Sequence, residues 1–225
     1  MQQFDPTVLI ALDPPASAFC QAIGDRIEQT LPTLNLLVQT RCLTPQTSQI
    51  RLVENSDLGA PTAFNLQDTN NPALTVPALK ELFRRSASTL QGELTSLLQL
   101  GRSQSAIQAA RQQGLEAGSR QRVYLLMSSG SETARGVLAE TVRLLRFLFQ
   151  RTFKADVQCL EAIVLLPGLF KDVQTENYAA TYALLKEIEV LQSDRNNLAF
   201  EGIWLLTRRL KRMHFTVQHK RSRDA

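Results

Sequence analysis

Val123-Tyr124-Leu125-Leu126-Met127, running into Ser128-Ser129-Gly130-Ser131-Glu132, decides the fold. Five apolar residues without alternation mark a strand buried on both faces, and the Ser/Gly loop behind them opens a helix predicted over residues 132–152. A second apolar run, Leu160 to Leu166, stops at Pro167-Gly168, and a further helix is predicted over 176–191. Fully apolar strands separated by helices of this length predict an α/β domain: three-layer, Rossmann-like, its mostly parallel sheet covered by helices on both faces. Ligands of such sheets bind beyond the carboxyl ends of the strands, so the loops at Ser128 and Pro167 are where chemistry is expected.

Working back toward the amino end, Thr7 to Leu12 is another continuous apolar run and predicts a central strand. Asp13-Pro14-Pro15 then starts a helix, with Asp13 as N-cap and proline at the first helical position, where its missing N–H costs nothing. Phe19, Ile23, Ile27 and Leu31 recur every four residues and predict one buried stripe, with Pro32 ending the helix. Leu34–Val38 and Gln49–Val53 are the next expected strands. Asn, Asp, Pro and Thr dominate residues 54–77, which read as a mobile loop. Beyond Pro77, Leu79, Leu82, Phe83, Ser86, Leu90, Leu94, Leu97 and Leu98 keep a 3.6-residue period as far as a break at Gly101, and residues 107–113 resume it. The helix after Ser131 presents Val137, Thr141, Leu144, Leu145 and Leu148 inward, leaving its arginines as a solvated face. Phe200–Thr207 is the last expected strand.

The composition is that of a globular domain: 225 residues, 44% hydrophobic and 20% charged. The first residues carry neither a basic stretch nor an apolar run, no segment is long and apolar enough to span a bilayer, and a cytoplasmic protein is expected. Cys20, Cys42 and Cys159 form no CxxC pair and read as reduced structural thiols. Two histidines, His214 and His219, leave no zinc set or Ser-His-Asp triad in the body. The net charge of +4 is uneven. Residues 208–225 carry seven basic side chains (Arg208, Arg209, Lys211, Arg212, Lys220, Arg221 and Arg223) against Asp224, a net of +6, which leaves −2 on residues 1–207. The chain therefore divides into one domain over 1–207 and a basic tail over 208–225. A nucleic-acid groove in the body is not expected, while an acidic partner or an anionic membrane surface suits the tail.

Leu165-Leu166-Pro167, followed by a helix reading Asn177-Tyr178-Ala179 and then Leu185-Lys186-Glu187, together with the order of strands and helices, resembles the nucleotide-binding domain of the tubulin superfamily. The likeness is greatest to its divergent bacterial tubulin-like branch and covers residues 7–53 and 122–207. The resemblance implies a nucleotide at two glycine-rich loops, with a polar residue near Asn177 holding the base. Both loops depart from that pattern. Asp13-Pro14-Pro15-Ala16 stands at the first, where two prolines delete N–H donors and a carboxylate occupies the anion's place. Ser128, Ser129, Gly130, Ser131 and Glu132 stand at the second, with one glycine out of register. Ser129-Gly130-Ser131-Glu132 also fits a capping box with Ser129 as N-cap, which would consume the donors a phosphate needs and add the repulsion of Glu132. Thr175 or Asn177 is read as the cap of that helix, with Tyr178, Tyr182 and Leu185 packing it down.

The expected function is accordingly that of a non-catalytic, pseudo-GTPase scaffold or regulatory domain without cofactor, acting through another protein or a copy of itself. The alternative is a GTP- or ATP-binding tubulin-like protein with unorthodox phosphate loops.

Overall fold

The computed structural model describes residues 2–32, 34, 37–46, 48–54, 75–153, 158–170, 173–193 and 199–207. Most of the loop over 54–77 and the whole tail over 208–225 lie outside them. In chain order the elements are β1 (Gln2–Phe4), β2 (Thr7–Ala11), α1 (Pro14–Thr30), β3 (Val38–Pro45), β4 (Ile50–Glu54), α2 (Val76–Leu100) and α3 (Gln104–Gln112). There follow β5 (Leu115–Ala117), β6 (Gln121–Ser128), α4 (Glu132–Arg151), β7 (Gln158–Leu165), a 3₁₀ turn (Pro167–Leu169), α5 (Thr175–Gln192) and β8 (Gly202–Leu206).

Six strands form one sheet in the order β4-β3-β2-β6-β7-β8, and β1 pairs β5 in a small parallel ribbon. Every neighbour in the large sheet is parallel except β4, which lies antiparallel to β3. The chain steps from β2 leftward through α1 to β3, and from β6 rightward through α4 to β7 and α5 to β8. Right-handed crossovers in opposite directions place their helices on opposite faces. The core shows the result. Val8, Ile10 and Leu12 of the β2 run, with Val123, Leu125 and Met127 of β6, meet α2, α4 and α5. Leu9, Ala11 and Leu126, from the same stretches, meet α1 on the other side. This is the α/β three-layer, Rossmann-like architecture that the apolar runs predict.

Helix α2 buries Leu79, Leu82, Phe83, Ser86, Leu90, Leu94, Leu97 and Leu98, the residues its period singled out, and Gly101 caps its end. It crosses α4 at Gly136, where an added Cβ would stand 2.5 Å from Leu79 Cβ. The missing side chain sets how closely the two helices approach.

Two expectations about elements are corrected. The second strand is β3, not Leu34–Val38: Leu34 sits in a short 3₁₀ turn, and pairing starts at Val38 opposite Thr7. The interior residues of β3 are Cys42 and Leu43, so its only deeply buried pair is hidden among polar neighbours. The α1 stripe is shallower than its spacing suggests. Ala16 and Cys20 are fully buried, Phe19 and Ile23 are partly so, and Leu31 is 52% exposed. The small residues at the helix start seat it on the sheet, and its far end runs out over solvent.

Candidate functional site

Because β3 and β6 flank β2 on opposite sides, the sheet's topological switch point lies at the carboxyl ends of β2 and β6, where a nucleotide would be held in a fold of this kind. The residues there are Asp13, at the start of α1, and the loop from Ser128 to Ser131 before α4.

Asp13 is completely buried. Its Oδ1 accepts from Ala16 N at 2.9 Å, the N-cap bond of α1, and from Ser128 Oγ at 2.8 Å. Its Oδ2 accepts from Ser128 N at 2.8 Å. One carboxylate thus caps one helix and ties it to the next strand's loop. Burial raises its pKa to about 6 against the opposing pull of these bonds.

Two further donors of the β6–α4 loop are also spent inside the protein. Ser129 N donates to Leu165 O at 2.9 Å, and Ser131 N to Ser128 O at 3.1 Å. Ser128, Ser129 and Ser131 have no exposed surface. Gly130 is buried as well, and Asn177 closes over it: a Cβ at Gly130 would meet Asn177 Nδ2 at 3.0 Å. The N-terminus of α5 therefore lies across the loop as a cover.

The capping box at Ser129 is overturned. Helix α4 begins at Glu132 with Ser131 as N-cap, its Oγ accepting from Ala134 N at 3.2 Å. Ser129 Oγ instead pairs with Thr181 Oγ1 at 2.9 Å, fastening the loop to α5. Glu132 is exposed in the first turn, where it balances the positive helix end. The N-cap of α5 is Gln174 and not Thr175, and Asn177 completes the capping box from the third helical position, its Oδ1 accepting from Gln174 N at 2.8 Å. Tyr178 and Tyr182 do not pack that helix down: they are 60% and 65% exposed, because the inner face of α5 is set by Asn177, Leu184 and Ile188.

Of the residues singled out from the sequence, Asp13, Ser128, Ser129, Gly130, Ser131 and Asn177 thus converge on one spot, and they converge on each other. Glu132 stands at its rim, and the basic tail residues lie outside the described region. Sequence reasoning missed Thr181 and the Asp13–Ser128 tie, since neither belongs to a local pattern. Cys42 is buried under α1, and burial pushes its pKa up to about 12, so it carries no thiolate at neutral pH. Cys159 lies at the other end of the sheet, its thiol raised to about 11 first by burial and then by Glu201 and Glu161.

Among the described residues, no group of three His, Cys, Asp or Glu side chains is placed to hold a metal ion, and no helix is long and apolar enough to cross a membrane. No protein-family model, curated protein or solved structure matches the chain.

Proposed function

We propose that this chain is a non-catalytic domain of the tubulin-like kind, a pseudo-GTPase that keeps the scaffold and works by binding another protein or a copy of itself. The observation that carries the reading is the buried Asp13 carboxylate at the switch point. It takes up Ser128 N and Ala16 N, which an anionic ligand would otherwise engage, and it sets a like charge where phosphates would sit. Pro14 and Pro15 remove two more donors from the same helix end. A phosphate could enter only by displacing a fully hydrogen-bonded interior group and lifting α5 from the loop. The basic residues of 208–225 would add long-range attraction to an acidic partner, weakening as salt is raised.

The test is calorimetric titration of the protein with GTP, GDP and ATP in the presence of magnesium. No saturable heat is expected. A dissociation constant below ~10 µM, a binding free energy stronger than about −7 kcal/mol, would sink the reading.

A further inference from the structure

We propose that the outward seam between α2 and α4 is a docking surface for an extended acidic segment of a partner protein, one whose carboxylates flank an apolar side chain. This rests on the preceding reading that the domain works by binding another protein, and it names the surface and the chemistry of that partner.

The two helices lie side by side and run in the same direction: Leu79 packs on Gly136, and further along Arg84 meets Glu140. The Glu140 side chain is only 16% exposed, yet its Oε1 serves two guanidiniums. It accepts from Arg143 Nη1 at 3.0 Å and stands 3.7 Å from Arg84 Nη2. Both arginine side chains are 65% exposed. One covered carboxylate thus holds two cations at the surface, one from each helix. A guanidinium carries five N–H donors, and among the described residues no other acceptor bonds either of these two.

One turn beyond Arg143 stands Phe147, 45% exposed, and one turn beyond that is Arg151, its guanidinium carbon 6.0 Å from the ring centre. Along the seam the order is a pair of cations, an aromatic ring and a third cation. Arg84, Arg143 and Arg151 against Glu140 leave 3 − 1 = +2. The neighbouring charges cancel, Arg85 pairing with Glu81 at 3.0 Å and Lys80 with Glu187 at 3.6 Å. Residues 1–207 sum to −2, so the seam reverses the sign of the body that carries it. A negatively charged partner is complementary to it.

Spacing selects the form of that partner. Arg143 and Arg151 are eight residues apart, about 12 Å along the helix. Residues i, i+2 and i+4 of an extended chain share one face and span about 13 Å. Acidic residues at i and i+4 then meet the two cationic ends, and an apolar residue at i+2 meets Phe147 between them. A bilayer would ask for more apolar surface than one ring. A nucleic acid would ask for a basic track, and Glu81 and Glu140 interrupt this one.

Chemical-shift titration of the full chain with two synthetic peptides tests the proposal. One reads Ser-Glu-Ser-Leu-Ser-Glu-Ser, and the other has the same composition with its glutamates adjacent. The first is expected to bind about threefold tighter or more, and to shift the amides around Arg84, Arg143 and Phe147. Arg143→Ala should weaken it by about threefold or more. Phe147→Ser, which changes no charge, should erase the difference between the peptides. Arg143 is mostly and Phe147 nearly half exposed, so circular dichroism and melting temperature should hold in both variants. Alanines at Lys220, Arg221 and Arg223 should weaken both peptides alike, which separates the seam from the general field of the tail. Equal binding of the two peptides, shifts confined to other elements, or a Phe147→Ser chain that keeps the preference would overturn the proposal. So would displacement of the peptide by oligothymidylate or by phosphatidylserine vesicles through a contact that Arg143→Ala abolishes, since the seam would then be a phosphate surface. The nucleotide titration separates the two readings. A chain that binds GTP removes the pseudo-GTPase reading whatever the peptides do, whereas a chain that binds neither nucleotide nor peptide loses only the seam.

Discussion

Asp13 is the most sensitive probe of the sealed switch point. Burial lifts its pKa from 3.8 to about 6 in the folded chain. At about 1.4 kcal/mol per pKa unit, keeping this carboxylate ionised costs the fold about 3 kcal/mol at neutral pH. The folded carboxyl takes its proton near pH 6, and the unfolded one only near 4. Between those values the folded state holds more protons, so this group's contribution to stability grows as pH falls and is lost as pH rises through 6. The protonated acid still has partners, because Ser128 Oγ can turn from donor to acceptor. Asp13→Asn removes the titration while keeping an oxygen for Ala16 N and Ser128 Oγ; its amide then faces Ser128 N–H, which loses its acceptor. Urea denaturation of both proteins from about pH 7 to about pH 4 cancels the other acids in the difference. The native chain should gain about 2 kcal/mol relative to Asp13→Asn over that range. A difference constant to within about 0.5 kcal/mol would show that the carboxylate is not held in a dry interior, and the sealing of the site would have to be given up.

Gly136→Ala should destabilise by about 1–3 kcal/mol in spite of alanine's better helix propensity, because its Cβ meets Leu79 Cβ at 2.5 Å and the two helices must part; an unchanged denaturation midpoint would contradict that close crossing. Ser131→Ala should cost about 1 kcal/mol and Glu132→Ala only a few tenths, since Ser131 is the cap and Glu132 acts on the helix end alone; equal losses would restore Glu132 to a capping role. Glu93→Ala should speed amide exchange at Leu52, whose N–H it accepts, and leave Val53, paired with Cys42, protected. Exchange rising equally at both would mean that the whole strand depends on Glu93.

What could be read from the sequence was whatever repeats locally. The α2 stripe was legible residue by residue because eight buried positions on one face leave a single phase for the helix. The prolines after Asp13 likewise gave its N-cap role directly, since proline is accepted at that helix start and at few other places in a helix. The second bond of Asp13 was not legible: Ser128 stands 115 residues away, and nothing in either neighbourhood announces the other. The slip from Ser131 to Ser129 as N-cap has a physical source. Both serines precede a helical run, and the choice is made by tertiary contacts, Ser129 N reaching Leu165 O and its hydroxyl reaching Thr181. The α5 tyrosines misled for the opposite reason. Large rings were expected inside, yet the α4 side and the β6–α4 loop are already filled by Leu184, Ile188 and Asn177.

The pairing of β2 with β6 also governs the order in which this chain can be built. Thr7 waits for Arg122 before that side of its strand is closed, while β3 is available some thirty residues after it. During synthesis the first half of the sheet must therefore emerge with Val8 and Ile10 bare toward the face that α4 will cover, and with one open edge in the middle of the future sheet. The β6–α4–β7 unit, whose strands pair within 37 residues, closes at lower entropic cost. It is placed to act as the template onto which the earlier strands dock. A ribosome-released fragment ending before Gln121 is expected to aggregate, whereas one beginning at Gln121 should retain protected amides in β6 and β7. Strand β2 is made before any other strand of the large sheet and is among the last of them to find its place.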